Sequence, residues 1–305
     1  MNAHQDHPLV SVIVPTMASR ERGQLLMRAI ASIRASSRSS IQIIAVVNGN
    51  RMDTEVCDWL KAQSDVQFVS IAKPSAPNAI FTGRQLVQTE YFSTLDDDDE
   101  YLPDATEYKL AALQSEPQAD MLVGNAYQCA AGVDSLRYEH LTNVPAQPLE
   151  CLMQFNWLLS GNTLYRTASV GSDYFKDSHS YAEWTWLAYR LAMDGKKVAV
   201  LDVPVFRYND TIGSLSKSKV FYESYIPLFN RMLNRLPPRK VARMIHRKLA
   251  SAYHDAAEAA LRDRQIKEAW NNHWKCLSKL GGLKYASFTR HLLYAHIFKY
   301  GVNRH

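Results

Sequence analysis

Long apolar runs are missing from this chain, and none approaches the roughly 18 residues that a membrane-crossing helix needs. No transmembrane span is expected. Cysteine is scarce too. Cys57, Cys129, Cys151 and Cys276 lie far apart, with no CxxC pair and no zinc-ligand spacing. That scatter argues against a disulfide scaffold or a structural zinc site, and predicts reduced thiols in a cytoplasmic protein. The stretch from Met1 to His7 has neither the basic nor the apolar region of a secretory leader, which points the same way.

What is present is ordinary in bulk and uneven in distribution. An apolar fraction of 47% and a charged fraction of 21% over 305 residues suit one large domain or two smaller ones with ample core. The net charge of +5 conceals an asymmetry, because residues 239–305 carry 14 Lys/Arg against 4 Asp/Glu while the other 238 carry 21 against 26. Pro237-Pro238 marks the shift. We therefore expect a first domain over 1–220 and a basic helical region over 221–305.

The first hundred residues alternate β-rich runs with helical patterns. Strands are expected at Leu9–Val14, Ile41–Val47, Val66–Ile71 and Glu90–Leu95, with helices through Leu25–Ile33, Val56–Leu60 and Ala79–Gln88. Such alternation predicts a doubly wound, mostly parallel α/β sheet with right-handed crossovers. Further on, a helix over Ala105–Leu113 precedes a strand over Asp120–Gln128, which Val133–Tyr138 can pair. An amphipathic stretch over Leu149–Leu159 follows, then strands at Thr163–Arg166 and Lys197–Phe206 around a helix through Trp184 and Leu191. Beyond Tyr222 everything reads as helical, and Ala250–Leu261 with Ile266–Leu280 resembles one tetratricopeptide-type hairpin. A single hairpin of that type cannot bury its own face, so it is read as an appendage.

Four consecutive carboxylates, Asp96-Asp97-Asp98-Asp99, follow the apolar run Tyr91-Phe92-Ser93-Thr94-Leu95. If the segment stays extended, Asp96 and Asp98 share one side. Two carboxylates at the end of a buried strand suit Mg2+ or Mn2+, which completes its shell with water and substrate phosphates. A solvated acidic loop, or acid favoring the helix start at Pro103-Asp104, accounts for the same residues. A calcium loop does not, since Tyr101 stands where that loop's turn needs Gly.

Taken together, these features resemble the inverting glycosyltransferases of family 2, with the GT-A fold, over about residues 9–217. Val10-Ser11-Val12-Ile13-Val14-Pro15-Thr16 is similar to the family's first strand and the loop under the base, Gly83 to the Gly opening the helix before the metal strand, and Leu95–Pro103 to its acidic motif. The resemblance implies Pro15, Thr16, Asn48, Gly83, Asp96 and Asp97 on a nucleotide-sugar donor and Asp98 on Mn2+ or Mg2+. It implies Glu183 as the base that takes the acceptor's proton, with Trp184 and Asn162 on the acceptor side. Arg207, Asn209 and Lys217 would form a lid over the diphosphate. The acceptor implied is a glycan or a lipid-linked sugar, in surface polysaccharide assembly.

The chain departs from the family's pattern in several places. Trp184 stands where a second acid usually follows the Glu, leaving Asp177 or His179 as fallback bases and a catalytically silent nucleotide- or glycan-binding module as the alternative. Val47-Asn48-Gly49-Asn50 replaces an acidic stretch that reads the base, and Ile80 replaces a basic residue, with Arg84, Arg20 or Arg22 as possible substitutes. A nucleotidyltransferase would want a Gly-rich basic first loop, which Ala18-Ser19-Arg20-Glu21-Arg22-Gly23 is not. Residues 239–305 mix Lys/Arg with aromatic and apolar residues, and Lys284–Lys299 suits peripheral contact with an anionic membrane on its inner face, with Phe288, Leu292 and Phe298 inserting; an apolar face packed on the first domain accounts for the same pattern. No nucleic-acid motif accompanies that charge, so nucleic acid is not an expected partner.

Overall fold

The computed structural model describes residues 7–210 and 223–301, the side chains of 298–301 excepted. The described residues fall into two compact units, the first within 1–178 and 183–212, the second within 179–182 and 213–305. Lys217 lies outside the described residues.

The first unit is built on a single mixed sheet. Its first strands, β1 (Val10–Thr16), β2 (Ile41–Asn48), β3 (Val66–Ile71) and β4 (Tyr91–Thr94), are mutually parallel. β1 and β4 are buried along their whole length, as strands covered on both faces must be. Helices α1 (Gly23–Ala35), α2 (Thr54–Lys61) and α3 (Ala76–Leu86) provide the crossovers. α2 starts on an Asp53 carboxylate that accepts from the Glu55 and Val56 amides, a standard N-cap.

The sheet then extends through β8 (Thr163–Arg166), β6 (Met121–Ala130) and β9 (Val198–Asn209) to β5 (Glu100–Tyr101), in the order β3-β2-β1-β4-β8-β6-β9-β5. β8 joins β4 antiparallel, and β7 (Val133–Leu136) pairs with β6 off the main path. The chain runs outward from β1 to β3, then returns to β1's other side as β4. The C-terminal ends of β1 and β4 thus form a topological switch point, where such sheets leave a crevice. Helices α4 (Ala105–Gln114), α5 (Pro148–Leu152), α6 (Asp173–Lys176) and α7 (Glu183–Met193) complete the unit.

Two expectations need correction here. The amphipathic stretch over 149–159 is helical only to Leu152, because Trp157 and Leu158 are fully buried in an irregular loop whose indole donates to the Pro148 carbonyl. Gly83 does not open its helix. It lies near the C-terminal end of α3, where an added Cβ would come within 2.4 Å of the Ile13 side chain of β1. Its role is to let α3 lie close on the sheet.

The second unit is helical: α8 (Tyr225–Asn234), α9 (Arg239–Arg262), α10 (Ile266–Leu277), a 3-10 stretch over Gly282–Phe288 and α11 (Thr289–Gly301). Ala257, Ala260, Ala269, Phe288 and Leu292 form a buried apolar cluster within it. The four cysteines are free.

Lys109, on α4, is fully buried. Its ammonium donates to the Gly161 carbonyl at 3.3 Å and sits 3.9 Å from the Tyr101 ring centroid. Burial pushes its pKa down to about 7.

Two outcomes are expected. Gly83→Ala gains about 1 kcal/mol of helix propensity but overpacks against Ile13 at about 1–3 kcal/mol or more, so urea unfolding should show net destabilization. For Lys109, the unfolded chain holds a proton between pH 7 and 10.5 that the folded chain has released. Stability should therefore rise with pH across that window. Lys109→Met should remove a rise on the order of a few kcal/mol, read as the difference between the two proteins' unfolding curves across pH.

Candidate active site

Strand register builds the site. Ile13 pairs with Thr94 across β1 and β4, so three residues further along each chain Thr16 meets Asp97. The Thr16 hydroxyl donates to Asp97 Oδ2 at 2.6 Å and accepts from the Ala18 amide at 2.9 Å. Arg22, from the 3-10 turn before α1, donates Nε to Asp97 and closes a second, short contact through Nη2. The same Nη2 reaches Asp98 Oδ2 at 3.1 Å. Asp97 is thus an internal anchor, with both oxygens engaged by the chain itself.

The acidic run does not stay extended. The Asp99 amide returns to the Asp96 carbonyl at 3.1 Å, making a turn through Asp97 and Asp98. Asp97 and Asp99 are buried, whereas Asp96 and Asp98 are partly exposed. The expected pairing of Asp96 with Asp98 on the accessible side therefore arises from a turn and not from strand alternation. The far end of the turn is fixed by β5 on β9, where Glu100 pairs with Arg207. Two residues on, the Asn209 amide donates to Asp99 Oδ1 at 2.8 Å and its side chain to the Asp98 carbonyl at 2.8 Å. Arg28 of α1 adds an ion pair to Glu100 at 3.1 Å.

The electrostatics follow from this crowding. Burial and the neighboring carboxylates of Asp98, Asp97 and Glu183 raise the Asp96 pKa well above the usual range, against a stabilizing hydrogen bond from Ser160. Asp99 is raised as well, by burial first and Asp96 next. Ser160 is held by Gly161, whose φ of +91° and close approach to the Phe206 ring leave no room for a side chain.

Glu183 opens α7 at the edge of an apolar pocket. Pro77 and Ile80 of α3, Tyr174 and Phe175 of α6, and Trp184 and Leu187 of α7 line it, with Asp177 and Ser178 between. Burial raises the Glu183 pKa, and its charge is among those felt by Asp96. The chain enters α7 through Tyr181 at a φ of +66°, an unusual conformation for a bulky residue. Trp184 faces the pocket, whereas Trp186 and Trp157 are buried. Arg190 of α7 donates to carbonyls of Tyr174 and Asp177 and lies 3.7 Å from the Asp177 carboxylate. Of the two fallback bases, Asp177 thus faces an arginine, and His179 contacts the Ser224 carbonyl at 3.1 Å within the second unit.

Several residues singled out in the sequence are occupied with holding the chain together. Asn48 donates to the Thr16 carbonyl at 2.9 Å and accepts from the Ser75 amide at 3.1 Å, tying β1, β2 and α3. Asn162 is fully buried. It donates to the Gly124 and Trp157 carbonyls and accepts from the Leu159 amide and the Thr163 hydroxyl. With all its hydrogen bonds made, it shapes the 157–163 loop and has none left for an acceptor. Arg84 is buried, bonded to the Thr167 and Val170 carbonyls over the Phe92 ring, and supplies no surface charge. Arg207 forms a bidentate pair with Asp134 of β7, which draws it away from a lid. Pro15 lies buried in β1. Sequence reasoning missed Ser160 as the partner of Asp96 and Arg22 as the counter-ion of the turn. Both contacts join residues more than sixty positions apart, and no local pattern signals them.

Among the described residues, no group of three or more His, Cys, Asp or Glu is arranged to hold a metal ion unaided. Two accessible carboxylates, completed by phosphate and water, are the usual protein share of a Mg2+ or Mn2+ shell. Asp96 is lifted by burial first and by the neighboring carboxylates next, and that repulsion is what a cation would relieve, so the residues present fit such an ion.

Comparison with known proteins agrees with this geometry. The WcaA protein of Escherichia coli (strain K12), whose name places it in colanic acid biosynthesis as a glycosyl transferase, is 25% identical over 205 residues, covering 66% of each chain. The match therefore spans just under two thirds of that relative's length. Among solved structures, S. aureus TarS 1-349 superposes with a TM-score of 0.61 at 15% identity, over 94% of this chain and 86% of that one. Its complex with UDP-GlcNAc gives 0.57 at 18% identity, over 80% and 71%. These structural likenesses establish the GT-A-type fold. The sequence profile described as Glycosyl transferase family 2 matches residues 11–173, more than half of the chain, and the chain therefore belongs to that family.

Proposed function

We propose that this family 2 glycosyltransferase moves a sugar from a nucleoside-diphosphate donor to a hydroxyl of a glycan or lipid-linked acceptor, with inversion, in surface polysaccharide assembly. The observation that carries the reading is the pairing of a buried carboxyl at the edge of a largely apolar pocket, Glu183, with the crowded acidic turn whose Asp96 senses its charge. The name of the Escherichia coli relative supports the polysaccharide assignment. The S. aureus TarS complexes with UDP-GlcNAc and UDP make a uridine diphosphate sugar the first donor to test.

In this mechanism Asp98, with Asp96, would hold a divalent cation. The cation, when bound, neutralizes the charge that develops on the leaving diphosphate. Asn209 and Arg22 keep the acidic turn in shape, and Thr16 with Asp97 fixes it to β1. Glu183 accepts the acceptor hydroxyl's proton as the new bond forms at the anomeric carbon and the bond to the diphosphate oxygen breaks. The nucleoside diphosphate leaves from the opposite face. Trp184 offers an apolar wall to a sugar, and the surrounding pocket keeps water from the base.

Three outcomes test this. Asp98→Asn should abolish the Mn2+-dependent rise in melting temperature caused by UDP, as should chelator on the natural chain, while the unliganded melting temperature stays near its original value. Glu183→Gln should retain that rise yet lose about 10²–10⁴-fold in kcat; unchanged turnover would remove Glu183 from the mechanism. The base works only when ionized, and burial raises its pKa. The acid limb of the rate profile should therefore lie above the ordinary glutamate value of 4.5, with activity lost as pH falls through it.

A further inference from the structure

The C-terminal end of the second unit carries a surface that catalysis does not use. On α11, Arg290, Leu293, Tyr294 and Ile297 recur at helical spacing on one face, and all are exposed, Tyr294 and Ile297 at 64% each. Leu292, on the opposite side, is buried with Phe288, so these two residues, expected from the sequence to insert, instead pack the unit's interior. The preceding 3-10 stretch adds Leu283, 77% exposed, and the exposed Lys284. From Asn271 to His305 the sequence has six Lys/Arg (Lys275, Lys279, Lys284, Arg290, Lys299 and Arg304) and no Asp or Glu.

Two requirements decide what covers this face. Its leucine and isoleucine side chains gain by leaving water, and its cations need anions close by. A second copy packed symmetrically on the same face would set like charge against like. Nucleic acid would satisfy the cations and leave the aliphatic side chains in water. An anionic bilayer meets both needs, offering headgroup phosphates to Lys284 and Arg290 and the acyl boundary to Leu283, Leu293 and Ile297, with Tyr294 at the interface where amphipathic rings settle. No helix among the described residues is long and apolar enough to cross a membrane, so attachment would be along the surface. We propose that the face of α11 bearing Leu293, Tyr294 and Ile297, with Leu283 and Lys284, is a docking surface for an anionic lipid bilayer.

The test is flotation of the full chain with phosphatidylcholine vesicles, with and without phosphatidylglycerol. Binding is expected only with phosphatidylglycerol, and it should weaken about tenfold or more between low and high salt. Leu293→Glu combined with Ile297→Glu should cost a further tenfold or so, with circular dichroism and melting temperature unchanged because both positions are exposed. Lys284→Glu with Arg290→Glu should remove the preference for phosphatidylglycerol. A chain that stays at the bottom of the gradient at low salt overturns the proposal. So does equal flotation of the Leu293/Ile297 variant, or a dimer in light scattering that this variant converts to monomer. Flotation requires no turnover, so the outcome stands apart from the fate of the catalytic reading.

Discussion

Four carboxylates in succession at the lip of a buried sheet must be held apart from one another and kept from unfolding the edge they terminate. The first unit is arranged around that constraint. Asp97 is turned in onto Thr16 and Arg22, Asp99 onto the Asn209 amide, and Glu100 onto Arg28. The partners come from β1, the 3-10 turn before α1, α1 itself and β9, so the turn is held by elements distant in sequence. In return, the turn ties the parallel half of the sheet to the half that contains β9. What remains accessible is Asp96 and Asp98, with Asp96 still crowded by like charge. Internal contacts thus engage Asp97 and Asp99, Arg22 also reaches Asp98, and Asp96 is left half-buried among like charges.

Backbone register accounts for the precision of these contacts. The pairing of Ile13 with Thr94 and of Glu100 with Arg207 determines which residues face each other beyond the strand ends. A slip of one residue would replace Thr16 by Pro15 opposite Asp97, and Pro15 has no donor to offer. Buried positions on both faces of β1 and β4 make such a slip costly. Gly83 and Gly161 act in the same sense, one by letting α3 sit close on β1, the other by letting the Ser160 loop pass beside Phe206. The catalytic lip is therefore fixed from below by packing as much as from above by charge.

Much of this was legible in the sequence. The parallel strands, their crossovers and the 163–166 strand fell where the apolar runs placed them, because β-rich runs bounded by polar turns leave little choice. The acidic run, and Glu183 with Trp184, could be singled out as candidate site residues by motif. What could not be read was which polar side chains face inward. Asn162, Asn48 and Arg84 look like ligand-binding residues in one dimension, yet each spends its hydrogen bonds on carbonyls and amides of its own chain. Buried polar groups must be paired, and their partners lie far off in sequence. Lys109 is the extreme case, a lysine at an apparently ordinary helical position that proves to be fully buried.

The replacement of the family's second acid by Trp184 becomes intelligible on the same physical terms. A carboxylate beside Glu183 would add like charge to a region where Asp96 already responds to Glu183. An indole instead lowers the local polarity and offers a flat apolar face to a sugar. A carboxylate in a largely apolar pocket becomes more basic through desolvation, without needing an acid directly beside it in the helix to raise its pKa. The acidic turn and the Glu183 pocket thus reach elevated carboxyl pKa values by different means, crowding together with burial at one and burial at the other. A cation relieves the first and excludes no proton acceptor from the second. On the proposed mechanism, that division would let the acidic turn face the diphosphate while Glu183, raised by burial, serves as the base.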